Sequence, residues 1–157
     1  MFTKMKISKD TPLQELTLRR YEKPYNLQKR EIIRKLCLST GLLQPGDSRD
    51  IIVDILHVLL IAKQQKKELS SEQVKNLVIK RREEKNMLMF GVAPSNIRRQ
   101  LKRLRDIYFI EKIKNKYRIV EFSSISETMN DKIERYMLPA IITRIKEYTE
   151  AVDKEFT

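Results

Sequence analysis

Apolar positions recur along this chain with a helical period over most of its length and with a two-residue period in one short stretch after position 107. In residues 27–40, Ile32, Ile33, Leu36, Cys37 and Thr40 fall on one face, while Lys29, Arg30, Arg34 and Lys35 lie elsewhere. Gly41 follows where a helix commonly ends. Pro45-Gly46-Asp47-Ser48 reads as a turn finishing in an N-cap, which predicts a helix through about Lys66. Its apolar residues from Ile51 to Ala62 cover almost the whole circumference, so this helix is expected to be central, with Asp50, Asp54 and Lys63 as the positions that need water. Ser70 and Gln73 have the spacing of a capping box and open a helix that buries Val74, Leu77 and Val78.

Pro94 suits a first helical position, where its missing N–H costs nothing, and Ile97, Leu101 and Leu104 then form one stripe. Residues 108–113 and 116–122 alternate and are rich in β-branched and aromatic types, as paired strands are. Lys114-Asn115-Lys116 is the tip between them, with Asn115 able to take positive φ. Ser124 and Glu127 start the last helical stretch. In it Met129, Ile133, Tyr136 and Ala140 keep one spacing, and Ile141, Ile145, Tyr148 and Val152 keep another displaced by one residue, with Pro139 bending the helix between them. Near the start, Thr11-Pro12-Leu13-Gln14 predicts a short helix that Pro24 ends. The fold class expected is mainly α with a small antiparallel β-hairpin. It divides into an N-terminal helical extension over 1–47, a central domain over 48–122 and a long C-terminal helix over 123–157.

The net charge of +12 over 157 residues is unevenly spread. Residues 80–118 hold thirteen cations against four acids, whereas residues 119–157 hold five against eight. A heat-stable surface would scatter both signs; a polyanion binder with a separate assembly element would divide them in this way. Stepping 100° per residue from Ile97 turns Ser95, Arg98, Arg99 and Lys102 outward, with Asn96 and Arg103 to the sides. Arginine can bridge O6 and N7 of guanine, asparagine can do the same for adenine, and serine and lysine reach phosphates.

Taken together, the stretch from Phe90 through Gly91, Val92, Ala93 and Pro94 to Leu104, with Phe109-Ile110-Glu111-Lys112 after it, resembles the turn, recognition helix and first wing strand of winged helix-turn-helix regulators. The resemblance covers 50 to 75 residues, from the helix at Ile51 to the strand ending near Phe122. It departs from that pattern at Ala93, where a serine or threonine N-cap is common. It implies a sequence-specific double-stranded DNA-binding protein, a transcriptional regulator that inserts the helix over 94–105 in the major groove. The expected contacts are Ser95, Asn96, Arg98, Arg99, Lys102 and Arg103, with Lys114, Lys116 and Arg118 on a basic wing. Lys80, Arg81, Arg82 and Lys85 are further candidates for phosphate, depending on whether residues 80–90 extend the preceding helix or form an inserted loop. The cations of residues 27–40 either follow phosphate or face solvent.

The C-terminal helix is expected to pair two copies through Met129, Ile133, Tyr136, Ile141, Ile145, Tyr148 and Val152, the alternative being that it folds back on its own domain. On the first view the domain over 48–122 closes without it. An enzyme is not expected. Three glycines and one histidine leave little from which to build a phosphate loop, a zinc site or a nucleophile with its base. Gly46-Asp47-Ser48 lacks a preceding strand and a downstream Asp-x-x-His, and His57 among apolar neighbours reads as structural. Cys37, the only cysteine, reads as a small core residue. No cofactor, no metal and no membrane partner is implied; without a cleavable signal or an apolar run of membrane length, a cytoplasmic location is expected. The alternative function is a winged-helix adaptor that binds a protein of the replication, segregation or transcription machinery.

Overall fold

The computed structural model describes residues 8–157, and the chain is mainly helical with a small antiparallel sheet. Its elements are α1 (Lys29–Ser39), α2 (Ile51–Gln64), β1 (Leu69–Ser70), α3 (Ser71–Glu84), α4 (Pro94–Asp106), β2 (Ile110–Ile113) and β3 (Lys116–Ile119). A 3₁₀ turn, Val120–Phe122, leads to a C-terminal helix in three stretches: α5 (Ile125–Thr128), a π-helical run (Met129–Met137) and α6 (Leu138–Glu155). Among the described residues, no helix is long and apolar enough to cross a membrane.

Helix α2 is the axis of the core. Ten of its fourteen residues are buried, and α1, α3, α4 and β3 all pack on it. The sheet is ordered β1-β3-β2, both pairings antiparallel, with Leu69 opposite Tyr117 and Ile110 opposite Ile119. Strand β1 was not foreseen, because two residues are too few to show a period; it lies directly before the capping box at Ser70, whose hydroxyl accepts from the Gln73 N–H while the Gln73 side chain accepts from the Ser70 N–H. The hairpin closes in a two-residue loop with Lys114 (φ 49) and Asn115 (φ 65) both left-handed, the type I′ geometry whose twist matches the strands. The strand expected to reach Phe122 stops at Ile119. Glu121 and Phe122 take positive φ, and the Glu121 N–H turns back to the Glu111 carboxylate at 2.9 Å.

Asp54 is buried rather than hydrated. Arg30 grips it with two parallel bonds, Nε to Oδ1 at 3.0 Å and Nη2 to Oδ2 at 3.1 Å, and Arg82 of α3 pairs with Oδ2 from the other side. Asp50 joins this cluster through Arg30 at 3.0 Å, Arg82 at 3.5 Å and Arg34 at 3.8 Å. Three helices are thus tied by two carboxylates on one turn of α2, the i and i+4 spacing placing both on the same face. This use of Asp50 accounts for a second shift: α2 begins at Ile51 with Asp50 as N-cap, and the Asp50 side chain caps no N–H.

Residues 12–23 form no helix. They run as an extended strap over α1, where the Arg19 N–H donates to the Ser39 carbonyl at 2.8 Å and its guanidinium donates to the Leu38 and Leu43 carbonyls at 2.7 and 3.2 Å. The carbonyls at the end of α1 gain partners that a local helix would have withheld. The strap crosses at Gly41 (φ +76), where a Cβ would stand 2.5 Å from Thr17 Cβ, so this glycine is required by both backbone and space. The buried cluster takes in Ile33, Cys37 and Leu38 from α1 and Ile133 and Met137 from the π-helical run, well outside 48–122 at both ends.

Candidate nucleic-acid interface

Helix α4 buries Ile97, Leu101 and Leu104, so its opposite side is fixed as a polar one. Ser95, Arg98, Arg99, Lys102 and Arg105 are exposed on it. Arg105 was not among the expected contacts. Lys102 pairs within the helix with Asp106 at 3.1 Å, an exposed pair worth only tenths of a kcal/mol and easily given up to a phosphate.

Asn96 and Arg103 do different work from that expected. The Asn96 side-chain amide donates to the Gly91 carbonyl at 2.8 Å, and its oxygen accepts from Arg99 at 2.7 Å and Gln100 at 3.1 Å. It therefore fastens the turn to the helix that Ala93 leaves without a side-chain cap. Gly91 (φ +83) is part of the same fastening, since a Cβ there would meet Asn96 Nδ2 at 2.9 Å and Ile51 Cγ2 at 3.3 Å. Arg103 is half-buried; it donates to Gln100 at 2.8 Å and, across the fold, to the Gly41 carbonyl at 3.2 Å. Both residues position α4, and neither presents a free edge to a base.

The hairpin tip keeps Lys114 and Lys116 exposed, whereas Arg118 is drawn back onto the sheet. Arg118 lies 3.4 Å from Glu111, 3.8 Å from Glu68 and 4.9 Å from the centre of the Phe122 ring. Its charge is spent locally. Lys112, also exposed, stands over the Tyr117 ring at 5.6 Å.

Of the four cations before α4, Lys80 and Lys85 are exposed. Arg82 is 4% exposed and belongs to the Asp54 cluster, with its Nε also donating to the Leu88 carbonyl at 2.7 Å, so it cannot reach phosphate. Arg81 lies against His57, its Nη2 3.2 and 3.3 Å from the two ring nitrogens. Burial, followed by the Arg81 charge, pushes the His57 imidazole below its ordinary pKa and favours its neutral form. Residues 80–90 combine the two expected arrangements: α3 runs to Glu84, and a loop follows that leaves Leu88 and Phe90 exposed instead of packing them under α4. Among the described residues, no group of three or more His, Cys, Asp or Glu side chains could hold a metal ion.

In the C-terminal helix, Met129 packs against the core and Ile133 is fully buried in it, which removes both from the expected pairing seam. Met137, not expected there, completes the inner stripe. Tyr136 meets Tyr108 edge to face at 6.1 Å, while Ile145, Tyr148 and Val152 are exposed and Ile141 is half-buried. Set against protein-family models, curated proteins and solved structures, the chain matches none of them.

Proposed function

We propose that this chain is a sequence-specific double-stranded DNA-binding protein of the winged helix-turn-helix type, acting as a transcriptional regulator rather than as an enzyme, with α4 entering the major groove and the hairpin tip touching the backbone. The observation that carries this reading is the division of labour on α4. Asn96 and Arg103 are used to hold it in place, and Ser95, Arg98, Arg99 and Lys102 are left on the open face, beside a hairpin that ends in two more exposed cations. The order helix, strand, helix, helix, hairpin, with sheet order β1-β3-β2, supports the same reading.

Base contacts and phosphate contacts have different signatures. Arg98→Ala or Arg99→Ala should each cost about 1–3 kcal/mol of binding to a selected duplex and relax its sequence preference. A duplex selected from random sequence at fixed salt, followed by anisotropy titration of both variants, is the test. Unchanged affinity and preference in the double variant would overturn the assignment.

A second reading has one observation in its favour. Leu88 and Phe90, 68% and 60% exposed beside the start of α4, are surface that a protein partner would cover and a phosphate backbone would not. An adaptor of this kind would bind its protein partner without a steep salt dependence and would have no affinity for duplex DNA.

A further inference from the structure

Among the described residues, helix α6 has no buried residue and packs substantially only against the π-helical run before it. Its eighteen residues span about 27 Å, so it stands off the domain as an arm. Along this arm Leu138, Ile141, Ile145, Tyr148 and Val152 follow one another at alternating intervals of three and four, the repeat by which two helices pack knobs into holes. Ile142, 42% exposed, widens the stripe. Ile145, Tyr148 and Val152 are each more than half exposed, an uninterrupted apolar strip such as single soluble chains rarely leave open.

The charges along the arm are divided end to end. Residues 138–146 carry Arg144 and Lys146 and no acid; residues 147–155 carry Glu147, Glu150, Asp153 and Glu155 against Lys154 alone. A second copy laid parallel sets like against like. Laid antiparallel, it sets the basic half of each arm beside the acidic half of the other and also opposes the two helix dipoles.

We infer that α6 is a self-association arm that pairs with α6 of a second copy in antiparallel orientation, with Ile145 against Tyr148 and Ile141 against Val152 of the opposite chain. Two such stripes cover on the order of 1,000 Å², about the smallest area on which a specific interface is held. The pairing sets the separation of the two domains. Met137, where each arm leaves its core, lies about ten residues from the centre of this register, so the two anchors stand roughly 30 Å apart along the arm. Tyr108, just past α4, touches Tyr136 beside that anchor. The spacing between the two α4 ends is thus on the scale of one DNA turn. The pairing itself does not depend on the DNA reading.

The test uses the full chain in three parts. Light scattering at micromolar concentration should give a dimeric mass, and Ile145→Lys with Tyr148→Lys should give a monomer that still melts cooperatively, because both side chains are exposed in a single copy. Ile141→Cys and Val152→Cys chains, oxidised separately, should remain uncrosslinked; mixed and oxidised, they should form a disulfide-linked heterodimer. A monomeric parent, or a dimer that the lysine variant leaves intact, would overturn the arm. Either cysteine variant crosslinking to itself would overturn the antiparallel orientation, and a dimeric mixture that fails to crosslink would overturn the register. A dimeric parent that binds no duplex DNA would count against the DNA reading alone.

Discussion

Arg82 of α3 and Asp54 of α2 form an ion pair inside the core, 4% and 2% exposed, and the Arg82 guanidinium reaches on to hold the Leu88 carbonyl of the loop that leads to α4. One side chain thus joins the central helix to the approach of the candidate DNA face. Arg82→Leu should destabilise the fold by about 3–5 kcal/mol, the cost of leaving half of a buried pair behind. Arg82→Leu with Asp54→Leu should recover part of that loss, limited by Arg30, which would then lack its own partner. Urea titrations of Arg82→Leu, Asp54→Leu and the double variant beside the parent complete the cycle, and a double-variant loss equal to the sum of the two single losses would show that the pair is not coupled.

Lys114 sits in left-handed backbone at the hairpin tip, a conformation that asparagine or glycine adopts at less cost. Lys114→Gly should therefore stabilise the fold by about 0.5–1 kcal/mol while weakening DNA binding for all sequences alike. Lys114→Ala with Lys116→Ala should lower the slope of log affinity against log salt by roughly two units if both touch phosphate. A salt slope equal to the parent's would mark the tip as a solvated turn.

His57 has its pKa lowered by burial and by Arg81, so near and below its ordinary value of 6.5 the unfolded chain binds a proton that the folded chain refuses. The associated stability is fully present above about pH 6.5 and is lost as pH falls through the lowered value. Urea midpoints measured between about pH 7.5 and about pH 5 should fall more steeply in the parent than in His57→Gln. Parallel curves would remove His57 from the acid response.

Cys37 is fully buried, and burial pushes its thiol up to about 12. It should resist iodoacetamide in the folded protein at neutral pH and react when urea exposes it. Rapid labelling under native conditions would show that α1 opens locally.

The point at which the domain can be cut follows from Ile133 and Met137. A chain ending at Phe122 loses both from the core, together with buried Thr128, and should fail to melt cooperatively. A chain ending at Ala140 keeps all three and should still melt in one cooperative transition while losing any self-association. Thermal melts followed by circular dichroism distinguish the two; a stable fragment ending at Phe122 would show that the C-terminal helix contributes little to the core.

Periodicity carried most of the helices. The stripe of α4, the capping box at Ser70 and the hairpin tip all rest on local rules, and the structure has each of them where the pattern predicts. What was not legible depends on partners distant in the chain. Asp54 and Arg82 are 28 residues apart, and Arg103 and Gly41 are 62 apart, so a reading by faces sends all four side chains or carbonyls to water. Asn96 misled for the opposite reason: its partner is only five residues away, but a carbonyl freed by a left-handed glycine leaves no mark in a hydropathy pattern. The pattern at Thr11 predicts a helix where the strap lies because a capping box counts only local N–H groups, whereas Arg19 finds carbonyls elsewhere in the fold.

The nine residues of π-helix between Thr128 and Leu138 bear on how one continuous helix serves two surroundings. The Leu138 N–H bonds to the Ile133 carbonyl, five residues back instead of four, and Pro139 follows with no N–H to offer. Such a wide turn behaves as a built-in phase shift, equivalent to one added residue and so to about 100° of rotation. It is the physical counterpart of the one-residue displacement between the two apolar stripes in the sequence: the wide turn takes up the extra residue, so the outer stripe stays in line with inward-facing Ile133 and Met137, with Leu138 and Ile141 half-buried where it leaves the core and Ile145 and Tyr148 exposed farther out. Deleting a single residue from this run would let it close as an ordinary α-helix with the two stripes still in line, whereas the same deletion past Pro139 would leave the wide turn in place and swing the outer stripe by about 100°.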